Sequence, residues 1–265
     1  MTAVRIPQVR PHRIEPAAVG AVTFRQWTVF TRFWRSRTFS AVIEPVFMLV
    51  AFGFGFGKLV STVAGIPYLQ FVGTGIVATA VLFSAVFSGM FDTLYKRRYI
   101  HVYDAMLATP VDVEEIVTGE VLFLGVRAGV YGGAPLLVAI AFGLPPAPAM
   151  VLVPLVGVLT GLGFAALGVL FASIAQTFDG LSYVVSGVVT PLFLLAGSFF
   201  PLSRMPEWLR VAAQGNPLYH CVRLVRDCAF GLHPGADLVH AGALVLFALI
   251  AWRLAIWRMR ARLIT

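Results

Sequence analysis

Ionisable side chains are scarce in this sequence and unevenly placed. Charged residues make up 12% of the 265 positions and hydrophobic residues 59%, whereas a soluble domain carries roughly a quarter charged residues. The densest group lies in one stretch, FDTLYKRRYIHVYDAMLATPVDVEEIVTGE, from Phe91 to Glu120. It holds Lys96, Arg97 and Arg98 in a row, then Asp104, Asp112, Glu114, Glu115 and Glu120. Elsewhere acid and base stand singly in apolar surroundings, as Glu44 beside Pro45 and as Arg127. A lone charge in such a run is costly and normally pairs or faces a protein interior. Each lacks another partner in its own stretch, so an ion pair between Glu44 and Arg127 is expected. A direct role of Glu44 in moving a solute is the other reading.

The usual catalytic signatures are missing. There is no nucleophile elbow, no HExxH and no nucleotide-binding loop. Gly53-Phe54-Gly55-Phe56-Gly57-Lys58 superficially looks like a phosphate loop, but it lacks the Walker spacing and no Ser or Thr follows the lysine. Its glycines suit close helix packing better. Gly161-Leu162-Gly163-Phe164-Ala165-Ala166 fits G-x-G-x-x-A, yet it sits inside an apolar run with no strand before it. Cys221 and Cys228, seven apart on one helix, could share a face but are too far apart along it to bond each other. Both are read as inert. No catalytic residue, cofactor site or metal cluster is expected. Arg127, Glu44 and Glu120 could be drawn as the proton relay of a secondary carrier, but ionisable residues deep within the apolar runs are too few to favour that.

The elements that must position these residues follow from hydropathy. The mean hydropathy is +0.87, and the apolar runs are about 20 residues long, enough to cross a bilayer as helices. The alternating ten-residue pattern of a β-barrel is missing. Residues 1–19 read as a basic, proline-punctuated tail, with no short apolar region or cleavage site ahead of the first long run. Residues 20–39 space Phe24, Trp27, Phe30, Phe33 and Trp34 helically, with Arg25, Arg32 and Arg35 mostly on the other side. This predicts an amphipathic helix in the headgroup plane, the alternative being a poorly ordered basic leader. Spans are expected near 40–59, 68–91, 121–142, 149–174, 181–200 and 238–257, within a transmembrane unit over 40–265. Small residues four apart, Gly129 and Gly133, Gly157 and Gly161, read as helix contacts. The mixed segment 201–237 is too apolar for a free loop and too charged for a span, so short helices dipping into the outer interface are expected there. The fold class is thus all-α integral membrane: six transmembrane helices, an N-terminal amphipathic interfacial helix and outer re-entrant helices.

The net charge of +8 belongs to arginines and lysines flanking apolar runs. It is read as topology and contact with anionic lipid headgroups, not as nucleic-acid binding. Six spans put both termini on one side, and the richer set of flanking arginines makes that side cytosolic. Within 92–120, Thr109-Pro110-Val111-Asp112 reads as a helix start, with Thr109 as N-cap, Pro110 first and Asp112 third. Glu114 and Glu115 then suit the dipole of the first turn. Tyr95 to Leu107 is expected to form a helix placing Tyr99, Tyr103, Met106 and Leu107 on or near one face. Lys96, Arg97 and Arg98 are read as a positive-inside anchor, with a headgroup or substrate contact as the alternative. The bland reading of the whole stretch is a well-capped connecting loop.

A resemblance adds to this. Tyr103 to Glu120, YDAMLATPVDVEEIVTGE, is similar to the first cytoplasmic loop of ABC-2 type exporter permeases, and most of all to the NodJ-type permeases of nodulation-factor lipo-chitooligosaccharide exporters. Similar too are Glu44-Pro45, YLQFVGTGIVATA from Tyr68 to Ala80, the stretch from Thr177 to Pro206, and the NPLYH box from Asn216 to His220. The resemblance runs over nearly the whole chain in the right order. It implies the type V ABC exporter (ABC-2) fold in the bacterial cytoplasmic (inner) membrane. It implies a pore of two permease copies driven by two copies of a separate cytosolic ABC ATPase, which would bind the ATP and magnesium. Residues 20–39 would be the connecting helix. The coupling contacts would be Tyr99, Tyr103, Asp104, Met106, Leu107, Thr109, Pro110 and Glu114. The outer gate and re-entrant region would include Gly197, Phe200, Pro201, Asn216 and Pro217. The cargo would be amphipathic or a lipid-linked (oligo)saccharide. A drug or antibiotic efflux permease of the same architecture, and a membrane scaffold that moves nothing, are the alternatives.

Overall fold

The structure, a computed structural model, describes residues 14–57, 60–63, 65–202 and 205–264. Most of the expected tail, and Lys58, lie outside the described residues. The first element, α1, runs from Pro16 to Val50 and continues as a π turn over Ala51–Phe56. The predicted border between an interfacial helix and a first span, at 39/40, carries no break. The bend falls earlier, at Phe33, whose φ of −122° and ψ of 15° leave the helical region. Phe24, Trp27, Phe33 and Trp34 are exposed, while Val19, Val22 and Gln26 are buried.

A small antiparallel hairpin follows, β1 Thr62–Val63 and β2 Ile66–Pro67, an element that hydropathy did not suggest. Next come α2 (Tyr68–Phe87), a second π turn over Ser88–Asp92, α3 (Thr93–Arg98) and α4 (Val102–Leu107). The long α5 (Val113–Ala141) returns across the bundle, and a 3-10 turn over Pro148–Leu152 leads into α6 (Val153–Ile174). Then come α7 (Phe178–Val184), a third π turn over Val185–Val189, and α8 (Thr190–Leu194). The chain closes with α9 (Glu207–Gln214), α10 (Pro217–Phe230) and α11 (Pro234–Leu263).

Among the described residues four helical stretches are long and apolar enough to cross a membrane: Tyr68–Arg98, Val113–Ala141, Pro148–Ile174 and Pro234–Leu263. The other two expected spans are represented by shorter apolar helices, Ile43–Gly53 and Phe178–Leu194. The core lies where α5 packs on α6, α2 and α1, and where α11 packs on α6. Glycine sets the spacing of the α5–α6 pair. A Cβ on Gly157 would stand 2.9 Å from the Gly129 Cα, and one on Gly161 3.0 Å from the Gly125 carbonyl oxygen. Gly133, expected to join this contact, has open space around its Cβ position. Such small-residue contacts let backbones approach where lipid gives no hydrophobic drive to associate.

The bundle has two distinct ends. One gathers the start of α1, the 93–120 stretch, the end of α6 and the end of α11. The other gathers the hairpin, the 195–202 turns, α9 and α10.

Candidate functional site

The polar stretch folds as two short helices and a corner, not as one helix. The expected run from Tyr95 to Leu107 is broken after Arg98, and His101 takes a left-handed φ of 49°. The break separates two tyrosines that one face would have shared. Tyr99 stays half exposed and stacks on Phe178, centroids 5.1 Å apart and planes 9° apart. Tyr103 turns inward and is buried. Asp104 is exposed beside His101, 2.9 Å from its Nδ1. Met106 and Leu107 pack partly against the core, while Thr109 and Pro110 form an exposed corner. Glu114 is largely buried and lies 3.4 Å from Arg260 at the end of α11.

The helix start also differs from the sequence reading. Helix α5 begins at Val113 with Asp112 as its N-cap, and Thr109 instead donates its hydroxyl to the Met106 carbonyl. The reason is a capping box: Asp112 pairs with Glu115, whose Oε2 accepts the Asp112 backbone N–H at 2.9 Å. The other oxygen of Glu115 accepts the backbone N–H of Glu15, the N-cap of α1, at 2.8 Å. One buried carboxylate thereby caps two helix starts a hundred residues apart.

The centre of this end is Glu120, fully buried. Its Oε1 accepts from Lys96 Nζ and, at 2.8 Å, from Gln26 Nε2, while its Oε2 accepts from the Tyr103 hydroxyl. Lys96 also donates to Gln26 Oε1 at 3.2 Å. Burial and the adjacent Glu120 carboxylate hold the Tyr103 hydroxyl well above its usual pKa, so it remains a donor. Four elements, α1, α3, α4 and α5, meet on one ion. The three basic residues read as a single anchor have separate duties. Lys96 neutralises Glu120, Arg97 donates to the Ser173 and Ala175 carbonyls at 2.8 and 2.6 Å, closing the end of α6, and Arg98 is exposed. On the same end, Trp252 Nε1 of α11 donates to Thr118 Oγ1 of α5 at 3.0 Å.

Midway along the bundle, α1, α2, α5 and the α7–α8 region enclose a cavity of about 800 Å³. Glu44 and Arg127 both line it, but among the described residues no hydrogen bond or ion pair joins them. The predicted pair is therefore not formed. Arg127 lies between the Phe123 and Tyr131 rings, 5.8 Å from each centroid. It donates to the Ser84 carbonyl at 3.3 Å and to the Ser88 hydroxyl. Carbonyl, hydroxyl and ring faces meet the guanidinium where sequence reasoning could offer only a carboxylate.

At the opposite end, Gly197 has φ +74° in the buried 196–199 turn; Phe200 is exposed and Pro201 half-buried. Asn216 is the buried N-cap of α10, accepting from the Leu218 N–H at 2.9 Å and donating to the Leu192 carbonyl at 2.6 Å, with Pro217 at the first helical position. The thiols sit deep in α10: burial pushes Cys221 up to about 12 and Cys228 up to about 11, in keeping with inert cysteines.

Against this geometry, the family model described as ABC-2 type transporter matches residues 17–230. The chain belongs to the ABC-2 type transporter family. It is 29% identical over 236 residues to "Nodulation protein J" of Sinorhizobium fredii (strain NBRC 101917 / NGR234), covering 88% of this chain and 90% of that one. It is 30% identical to "Nodulation protein J" of Rhizobium leguminosarum bv. trifolii, with 87% and 90% covered. It is also 28% identical to "Inner membrane transport permease YadH" of Escherichia coli (strain K12), with 88% and 90% covered. As an ABC-2 permease it is the membrane-embedded part of an ABC transporter, and ABC-2 permeases work with a cytosolic ATPase subunit. The residues that sequence reasoning missed are Gln26 and Glu115, and the partners of Lys96 and Arg97. A buried glutamine in an aromatic-rich amphipathic helix was the available signal for the first.

Proposed function

We propose that this ABC-2 permease forms, with a second copy of itself, the export path of an ATP-driven transporter for an amphipathic or lipid-linked saccharide-type cargo. Two cytosolic ATPase subunits drive it. On this reading the chain crosses the membrane six times with both termini cytosolic, the first and fifth spans being the short apolar helices 43–53 and 178–194. The end built around Glu120 faces the cytosol, and the exposed corner from Asp104 to Pro110 seats in the ATPase. The observation that carries the reading is the buried Glu120 cluster. A push on α4 moves Tyr103, and Tyr103 is tied through one carboxylate to α1, α3 and α5. A loop that merely connected two spans would have no need of a buried charge joining four helices. The family match supports the transport class, and the name of the Escherichia coli relative supports both transport and the inner membrane.

The test is co-purification of this chain with the ATPase encoded beside it, followed by ATP hydrolysis in lipid. Asp104→Arg and Thr109→Arg alter exposed side chains and leave the Glu120 cluster intact. Each should weaken the complex or uncouple hydrolysis from cargo, with the melting temperature of the permease unchanged. A complex and a coupled activity indifferent to both changes would remove the corner from the contact.

A further inference from the structure

Arg226, on α10, is a largely buried cation at the opposite end of the bundle. Its Nη2 donates to the Gly197 carbonyl at 2.8 Å and to the Ser198 carbonyl at 3.4 Å, and its Nε to Thr74 Oγ1 of α2 at 3.4 Å. The guanidinium lies over the Phe71 ring, 3.8 Å from the centroid. Among the described residues no carboxylate lies within ion-pair distance of it. Burial pushes it down to about 9, with Arg223 adding in the same direction and Asp227 opposing, so it keeps its charge at neutral pH. A buried cation without an ion pair is costly. Here two carbonyl dipoles, a hydroxyl and a ring face offset that cost.

The two carbonyls belong to one turn. Residues 196–199 are buried and cross α2 at its closest point: a Cβ on Gly75 would stand 2.2 Å from the Ser198 carbonyl oxygen. The turn thus lies directly on the α2 backbone, and Arg226 ties the turn to α2 through Thr74 and the Phe71 ring. One nitrogen, Nη2, serves both carbonyls while Nε is engaged with Thr74, so the match is lost if the turn shifts by one carbonyl.

We propose that Arg226 is the positioning residue that holds the 195–200 turn closed, so that opening of this end proceeds by release of the Gly197 and Ser198 carbonyls from its guanidinium. The proposal rests on the reading of this turn as the outer gate.

The test is thiol accessibility. With Cys221→Ala and Cys228→Ala as background, Ser198→Cys places one thiol at a site 1% exposed. A membrane-impermeant maleimide is applied to intact cells and, separately, to inverted vesicles. With Arg226 present, labelling is slow. Arg226→Met should speed it by about tenfold or more, as expected when a local closed state is lost. Arg226→Lys should restore part of the protection, since a point charge can hold one carbonyl but not both. Phe71→Leu, which removes only the ring face, should give a milder rise. A thiol placed at the fully buried Leu82 must stay unlabelled throughout; if Arg226→Met exposes it, the Lys and Phe71 variants decide the matter. Equal labelling with and without these changes, from either side, overturns the role of Arg226. Acceleration seen only in inverted vesicles overturns the outer placement of the turn, while leaving the hold itself measured.

Discussion

At the scale of single residues, Glu120 and Lys96 make the sharpest claim. A fully buried carboxylate that loses its only cationic donor is destabilised by about 3–5 kcal/mol. Lys96→Met should therefore lower the melting temperature of the purified permease markedly. Adding Glu120→Gln should recover much of the loss, because a neutral amide still accepts from Tyr103 and Gln26. If Lys96→Met alone melts like the parent, the lysine is the surface anchor that its sequence context suggests. That context was misleading for a physical reason. A basic triplet at the end of an apolar run satisfies the positive-inside pattern whichever way each side chain turns. The turn is set by helix phase and by partners 24 to 78 residues away, neither of which is written locally. The Glu44–Arg127 pair failed for a related reason: charge complementarity in sequence ignores the carbonyl, hydroxyls and rings that the fold supplies to Arg127.

At the scale of elements, the junction of α10 and α11 is the part most sensitive to pH. Asp227 and Asp237 are neighbours across it, and burial together with the adjacent Asp237 pushes Asp227 above its usual range. Arg223 and His233 face Asp227 and oppose the shift. Nearby, His220 Nε2 meets the Gln214 carbonyl at 2.9 Å and must carry the proton there, leaving its Nδ1 to accept from His240 at 2.7 Å. Burial lowers His220, so the fold favours its neutral form. The signs oppose each other. The raised Asp227 contributes stability at low pH that is lost as pH rises through its elevated value, while the lowered His220 contributes stability at high pH that is lost as pH falls through the ordinary histidine range. Asp237→Asn separates the two. It should raise the melting temperature at about pH 8, where the adjacent carboxylate otherwise disfavours ionised Asp227, and show a smaller gain at about pH 4. A gain of equal size at both would dismiss the coupling between the two. Short helices within 201–237 were legible from its mixed polarity, but the partnership of α10 with α11 was not, since that polarity fits many short-helix arrangements.

At the scale of the whole molecule, hydropathy showed the four long apolar helices, because an apolar run of that length has few other fates. It was less informative where helices shorten and widen, around 43–53 and 178–194. The packing predicts which positions the bundle cannot spare. A Cβ on Gly168 would stand 2.6 Å from the Val86 carbonyl oxygen and 2.9 Å from Gly89, backbone against backbone between α6 and α2. Gly168→Val should sharply reduce monodisperse protein after solubilisation, while Gly187→Ala, with open space around it, should not. Equal yields would mean that these helices sit farther apart in the membrane. The π turn at Ser88–Asp92 lies between that contact and Lys96. A wide turn holds one residue more than an α turn, so every side chain after it is rotated by about 100°. The meeting of Lys96 with Glu120, and of Arg97 with the end of α6, therefore depends on the chain length between Phe87 and Thr93 more than on which residues fill it. A one-residue deletion there would leave composition, hydropathy and every named side chain in place. It would nonetheless swing the lysine off its carboxylate, a lesion that a catalogue of substitutions would never reveal.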